Sequence, residues 1–276
     1  MDPELISAMK TGRTMLFMGS GVSATLGVPT WSGLIAKLAN KLGYDERLLA
    51  PPGVNYLTLA QFFYEKYKQS GIADLCNEMS AEWNASEEKL KNSEVHKLLY
   101  KLRFPTIYTT NYDQNLENAF RLFGGDPLVV NDISQFGLGK ASDQTIIKFH
   151  GDLTDPNRIV LTESQYFERL NFEAPLDIRL RSDALSNSIL FIGYSLSDIN
   201  VRLLLYKLSN MWKNDNNQRP KSFILLSRPN QMEEVVLGSW GIKVITHDDD
   251  DPSHMLVSFL EQLVAAVGNG SGNITT

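Results

Sequence analysis

The chain has 276 residues, a formal net charge of −6, a 43% hydrophobic composition and one cysteine. That length suits one large domain, or a core with a smaller insertion. No apolar run reaches the ~18 residues of a membrane span. Cys76 alone excludes an internal disulfide framework and any all-cysteine zinc site. With no long Lys/Arg block, the acidic balance argues against tight nucleic-acid binding through the overall field. The first ten residues lack a charged-then-apolar leader pattern, so a cytoplasmic location is the expectation.

In chain order, residues 14–18 are a short apolar run ending at Gly19, which predicts a buried strand entering a glycine turn. Residues 31–42 predict a helix closed by Gly43. Residues 57–103 read as wholly helical, with Leu59, Phe62, Phe63 and Lys66 on one face. Farther along, Val95, Leu98, Leu99 and Leu102 repeat at helical spacing, and Pro105 ends the stretch. Strands at 106–109, 145–149, 188–192, 222–226 and 242–245 then alternate with helices at 113–122, 198–211, 230–237 and 253–267. Short apolar strands alternating with helices predict an α/β fold: a Rossmann-like, doubly wound parallel sheet covered on both faces. The core is assigned to 1–31 and 105–267. Residues 32–104 are read as an all-helical insertion, a cap over the sheet's carboxyl edge. The Gly/Ser/Asn-rich tail 268–276 is read as disordered and the aspartate run 248–251 as a solvated loop.

Four segments at strand ends carry chemistry. Gly19-Ser20-Gly21-Val22-Ser23-Ala24 fits the dinucleotide-binding turn: one glycine for the sharp bend, a second for close approach of a pyrophosphate, and a small residue for helix–strand packing. The same turn also occurs without a ligand. No acidic residue ends a second strand about 20 residues on, which disfavours an ordinary dehydrogenase. Thr109-Thr110-Asn111-Tyr112-Asp113 ends a strand and opens a helix, as a helix cap or as part of a ligand crevice. Lys148-Phe149-His150-Gly151-Asp152 sets a histidine at a strand end, suited to general-base work or to a structural role. Gly193-Tyr194-Ser195-Leu196-Ser197-Asp198 is a second glycine turn, for phosphate or ribose contact or simply a helix capped by Ser197 or Asp198.

Taken in order, these segments resemble the sirtuin family. Gly19 to Ser23, through Gly27-Val28-Pro29-Thr30-Trp31, is similar to its first NAD loop. Thr109 to Asp113 is similar to its Thr-Gln-Asn-Ile-Asp motif, His150-Gly151 to its catalytic His-Gly pair, and Gly193 to Leu196 to its Gly-Thr-Ser-Leu turn. His96 also matches a histidine often found upstream of the second motif and is read as structural. The resemblance implies that NAD is the substrate and that His150 is the base. It implies that Asn111 holds the nicotinamide ribose and a water, with Thr110 beside it, and that Asp113 meets the nicotinamide amide. Gly19, Ser20, Gly21 and Ser23 would cradle the pyrophosphate. Gly193 and Ser195 would meet phosphate or ribose, and Ser227 would lie near the adenosine ribose.

The departures set the branch. Deacetylating sirtuins carry four zinc cysteines between the His-Gly pair and the Gly-Thr-Ser turn, whereas residues 152–192 here contain none. Pro29-Thr30-Trp31 replaces the usual Pro-Asp-Phe-Arg. The helical block and Thr162-Glu163-Ser164-Gln165-Tyr166 resemble zinc-less bacterial effectors of antiphage defence that deplete NAD. The implied activity is cleavage of the nicotinamide–ribose bond. A protein deacylase or ADP-ribosyltransferase is the alternative, and a non-catalytic NAD-binding assembly module a second. A chain without room for a sensor domain is expected to be controlled by assembly, as a homo-oligomer or with a protein partner such as a hexameric ATPase.

Overall fold

The computed structural model describes residues 1–44, 55–138, 142–194, 198–212, 219–227, 231–246, 249 and 251–268. Its strands are β1 (Thr14–Met18), β2 (Thr106–Thr109), β3 (Leu128–Val130), β4 (Thr145–Lys148), β5 (Ser188–Ile192), β6 (Ser222–Leu225) and β7 (Ile242–Ile245). They form one sheet in the order β3-β4-β2-β1-β5-β6-β7, every pair parallel. β1 and β5 are buried along their whole length, which explains runs without polar alternation. The chain passes from β1 to β2 on one side and returns through β4 to β5 on the other. The crevice at the carboxyl ends of β1 and β5 is therefore the topological switch point, where open α/β sheets bind ligands.

Alternate side chains of the strands feed two cores. Leu16, Met18, Ile107, Ile146, Leu190 and Ile192 pack under α1 (Pro3–Lys10), α6 (Glu94–Leu102), α7 (Asn115–Leu122) and α12 (Pro252–Gly268). Phe17, Tyr108, Ile147, Ile189 and Phe191 pack under α9 (Pro175–Ser186), α10 (Ile199–Met211) and α11 (Gln231–Ser239). The sheet is doubly wound, as expected.

A third core joins α3 (Trp31–Leu42), α4 (Tyr56–Trp83) and Leu90 of α5 (Glu87–Asn92) to Leu26 and Val28 after β1, Tyr112 after β2, and Leu153, Ile159 and Leu161 after β4. These helices thus sit on the segments leaving the carboxyl edge. α6 behaves differently: Val95, Leu98, Leu99 and Leu102 bury against the sheet core beside α12. Residues 32–104 are therefore not one packing unit. Periodicity identifies α6 as an amphipathic helix but says nothing about which body its apolar stripe covers.

Helix α3 ends as its sequence dictates, on Gly43 in the left-handed region at φ 82°. α4 departs from the expected face: Leu59 and Phe63 are buried, whereas Phe62 is exposed and Lys66 lies in water. Its helical geometry breaks at Lys68 (φ 51°), so a stripe extrapolated across it loses phase. α7 starts at Asn115, because Asp113 and Gln114 form the turn and the Asp113 carboxylate accepts from the Asn115 N–H at 3.1 Å. The tail beyond residue 268 and much of the aspartate run lie outside the described residues.

Candidate functional site

The turns after β1 and β5 meet glycine to glycine. The Gly19 N–H donates to the Ile192 carbonyl at 3.0 Å, and the Gly21 N–H donates to the Gly193 carbonyl at 2.9 Å. A Cβ on Gly21 would stand 2.8 Å from Gly193 Cα, and one on Gly193, itself at φ 61°, would stand 2.6 Å from the Val22 nitrogen. Close backbone contact thus explains these glycines before any ligand is considered. It also commits two N–H groups expected to face a pyrophosphate. The following helix α2 (Ser20–Ala24) has five residues. Ser23 is buried within it and Ser20 is half-buried.

Asn111 crosses to this turn from the end of β2. Its Nδ2 donates to the Gly19 carbonyl at 3.2 Å and to Ser23 Oγ at 3.0 Å, in a buried setting. The Asn111 N–H donates to Thr109 Oγ1 at 3.1 Å. Thr110 is half-buried and Asp113 buried. The β1 and β2 motifs are thus one hydrogen-bonded unit.

His150 follows β4 and is 3% exposed. Its Nε2 lies 3.2 Å from Asp198 Oδ2 yet makes no hydrogen bond. Asp198 caps α10, its Oδ1 accepting from the Asn200 N–H at 2.8 Å and the Val201 N–H at 3.3 Å. The Tyr166 ring of α8 (Glu163–Glu168) meets the imidazole edge-on at 5.4 Å, and the Phe149 ring stacks against it at 5.7 Å. Arg169 lies over the Phe149 ring, donates to the Phe149 carbonyl at 2.7 Å and pairs with Asp177. Burial pulls the His150 pKa down to about 4; Asp198 opposes this and Arg169 adds to it. The imidazole is therefore neutral near pH 7 and able to accept a proton. Gly151 (φ 89°) is required, since a Cβ there would stand 2.7 Å from the Arg158 carbonyl carbon.

Several buried polar atoms beside Asp198 have no hydrogen-bond partner: His150 Nε2 and both side-chain atoms of Asn200. Such orphans are rare in folded proteins. Together they suit a site that completes its hydrogen bonds with a polar ligand. Burial, then the charge of Asp198, hold the Tyr166 and Tyr194 hydroxyls well above their usual pKa, so both stay protonated donors.

Of the remaining sequence candidates, Gly193 stands in the crevice. Ser227 lies just past β6, the neighbour of β5. Ser195 falls outside the described residues. Two surface clefts lie elsewhere: one of about 520 Å³ bordered by Lys89, Glu94 and His254, and one of about 720 Å³ bordered by Lys37, Asn40 and Glu82. Of the motif residues, Pro29 of the loop after β1 borders the second.

Sequence reasoning gave no role to Lys148, Tyr166 or Arg169, and only a capping role to Asp198. Lys148 left a readable signal, a lysine inside the apolar run Ile146-Ile147-Lys148-Phe149. Tyr166 lies in the segment 162–166 that resembles the defence effectors, which gave it no role, and Arg169 left no signal, because only the tertiary fold carries them to His150.

An all-parallel sheet that carries the turns after β1, β2, β4 and β5 at its carboxyl edge defines a class: a Rossmann-like α/β protein with an asparagine and a histidine at that edge. The family described as SIR2-like domain matches residues 105–245, just over half of the chain. The chain belongs to the SIR2-like domain family. It is 30% identical over 221 residues to "NAD(+) hydrolase ThsA" of Enterococcus faecium, covering 79% of this chain and 44% of that one. It is 30% identical over 206 residues to the protein of the same name from Cytobacillus dafuensis, covering 74% and 40%. "Defense-associated sirtuin 2" of Bacillus subtilis is 24% identical over 253 residues, covering 85% of this chain and 23% of that protein. The chain therefore spans less than half the length of the curated relatives it matches. Among the described residues no helix is long and apolar enough to cross a membrane.

Proposed function

We propose that the chain cleaves NAD at the nicotinamide–ribose bond, giving nicotinamide and ADP-ribose, as an effector of bacterial antiphage defence acting in the cytoplasm. The observation that carries this reading is the pairing of a neutral, buried His150 with an Asn111 locked to the β1 turn, in a crevice of unsatisfied polar atoms. The names of its relatives, NAD(+) hydrolase and defence-associated sirtuin, support the same activity.

The chemistry balances simply. The C1′–N bond breaks and its electron pair leaves on the pyridine nitrogen, so nicotinamide departs neutral and needs no strong general acid. The ribose passes through an oxocarbenium-like state. Asn111 orients the ribose hydroxyls and the attacking water, His150 takes the water's proton, and Asp113 meets the nicotinamide amide. Gly19, Ser20, Gly21, Ser23, Thr110, Gly193, Ser195 and Ser227 complete the NAD site. In it Ser23 acts through Asn111, and Gly19 and Gly21 act through shape, since their N–H groups are spent on β5. Helices α3 to α5 form the cap that keeps water out. Residues 152–192 offer no cysteine for the zinc module of deacetylating sirtuins. The deacylase or transferase alternative needs a groove for an extended peptide between cap and core, and an acyl-lysine peptide assay separates it from hydrolysis.

The test is NAD consumption by purified protein, with products resolved by chromatography. Wild type should release nicotinamide and ADP-ribose. His150→Ala and Asn111→Ala should lose roughly 100- to 10,000-fold while remaining folded. Near wild-type turnover by either variant would overturn the assignment. Control through assembly, as a homo-oligomer or with a hexameric ATPase, is tested by light scattering after size exclusion. A fully active monomer counts against it.

A further inference from the structure

We infer that Asp198 is the positioning partner of His150: a carboxylate fixed as the cap of α10 that orients the imidazole and stabilises it after proton uptake. This rests on the reading of the chain as an NAD-cleaving enzyme.

Three observations carry it. First, the carboxylate is divided between two tasks. Oδ1 is held by the Asn200 and Val201 N–H groups at 2.8 and 3.3 Å, which leaves Oδ2 to stand 3.2 Å from His150 Nε2. Capping alone needs one oxygen, so it does not account for the second. Second, the Asp198 and His150 side chains are 8% and 3% exposed. A carboxylate so placed favours a positive charge on the facing imidazole, which is the charge the imidazole gains when it takes up a proton. Third, the other groups around the pair do not take that role. Arg169 approaches His150 from the Phe149 side and is committed to Asp177 and the Phe149 carbonyl. Tyr112, Tyr166 and Tyr194, which all feel the Asp198 charge, are held protonated by burial, so the Tyr194 hydroxyl, which reaches Asp198, can donate to the carboxylate but cannot supply a positive charge against it.

The division of labour is that of a general base steadied by a buried acid. Water loses a proton to the imidazole and its oxygen bonds to C1′, while the glycosidic pair leaves on nicotinamide. A geometry short of a full hydrogen bond is normal for such a pair, which tightens as the reaction proceeds.

The experiment compares wild type, Asp198→Asn and Asp198→Ser, both of which keep a capping side chain, in kcat and KM for NAD from pH 3 to 9, by short assays from a neutral stock so that the acid limb is read before unfolding. Folding is checked by circular dichroism, and the serine variant carries the comparison if the asparagine variant fails to fold. The expected result is a kcat loss of roughly 100-fold or more with little change in KM, and an acid limb displaced to lower pH, because the imidazole loses the charge that favours its protonation. Wild-type kcat with an unmoved acid limb overturns the inference, as does a lost kcat with an unmoved limb, which would mean a purely structural aspartate. If wild type does not cleave NAD, the functional reading fails. NMR titration of the imidazole then decides the pair alone: a lower His150 pKa in Asp198→Asn supports it and an unchanged one overturns it.

Discussion

Lys148 and Glu117 meet in the protein interior, Nζ 3.2 Å from Oε1, with both side chains closed to solvent. The same ammonium lies 3.3 Å from Asp152 Oδ2 and donates to the Asp113 carbonyl. One cation therefore ties the loop carrying Asn111 and Asp113 to the loop carrying His150 and Asp152. Burial works to discharge Lys148, but the carboxylates of Glu117, Asp152 and Asp113 outweigh it and hold its pKa up. Glu117 moves up as well, through burial and the repulsion of Asp152 and Asp113, which Lys148 does not fully offset.

Lys148→Met should thus leave several buried acids without a counterion and lower stability by about 3–5 kcal/mol. Glu117→Gln should cost less, since the Asp152 carboxylate still faces the ammonium and the amide keeps the shape of the side chain. Urea titration of both variants beside wild type checks the ranking. Equal losses would place the burden on packing rather than on charge.

The glycine contact across the switch point makes a second prediction. Gly12 and Gly193 both adopt positive φ, 67° and 61°. A methyl group on Gly12 meets nothing within 4 Å, whereas on Gly193 it would stand 2.6 Å from the Val22 nitrogen. Gly12→Ala should therefore show only the left-handed strain, about 1–2 kcal/mol. Gly193→Ala adds a backbone clash and should lower the melting temperature several times as much. Because the displaced backbone is that of the β1 turn, Gly193→Ala should also disturb NAD turnover and Gly12→Ala should not.

Those two glycines mark where sequence reasoning succeeds and stops. A glycine after an apolar run announces a turn, and the runs that form β1, β2 and β5 are continuous enough to be read directly. β3 is three residues long and only partly buried, so it leaves no period to detect. The helix α1 begins with a proline at its first turn and is capped by Asp2, both readable signals, but it buries only Leu5 and shows little apolar pattern. Motif spacing placed His150, Asn111 and Gly193 on one sheet edge. It could not place Tyr166 against the imidazole or Asp198 beside it, because those contacts depend on how α8 and α10 return to the crevice. Nor could it tell that Gly21 serves Gly193, since a glycine required by neighbouring backbone and one required by a ligand look alike in sequence.

Two buried histidines contribute to the pH response of the fold. His96 Nδ1 pairs with Ser93 Oγ at 2.8 Å, its Nε2 has no partner, and burial pulls its pKa down to about 4. His150 is pulled down to about 4 by burial as well. In the unfolded chain both return to about 6.5. Between those limits the unfolded chain binds protons that the folded chain refuses, so stability falls as pH drops from about 6.5 toward 4 and is fully present above that window. Each histidine contributes a slope of up to about 1.4 kcal/mol per pH unit. Urea midpoints at pH 7.5 and pH 5 should therefore differ clearly in wild type. His96→Gln should narrow that difference, because an amide of similar size does not titrate. An undiminished difference in the variant would assign the acid sensitivity to groups other than His96, with His150 the next to be replaced.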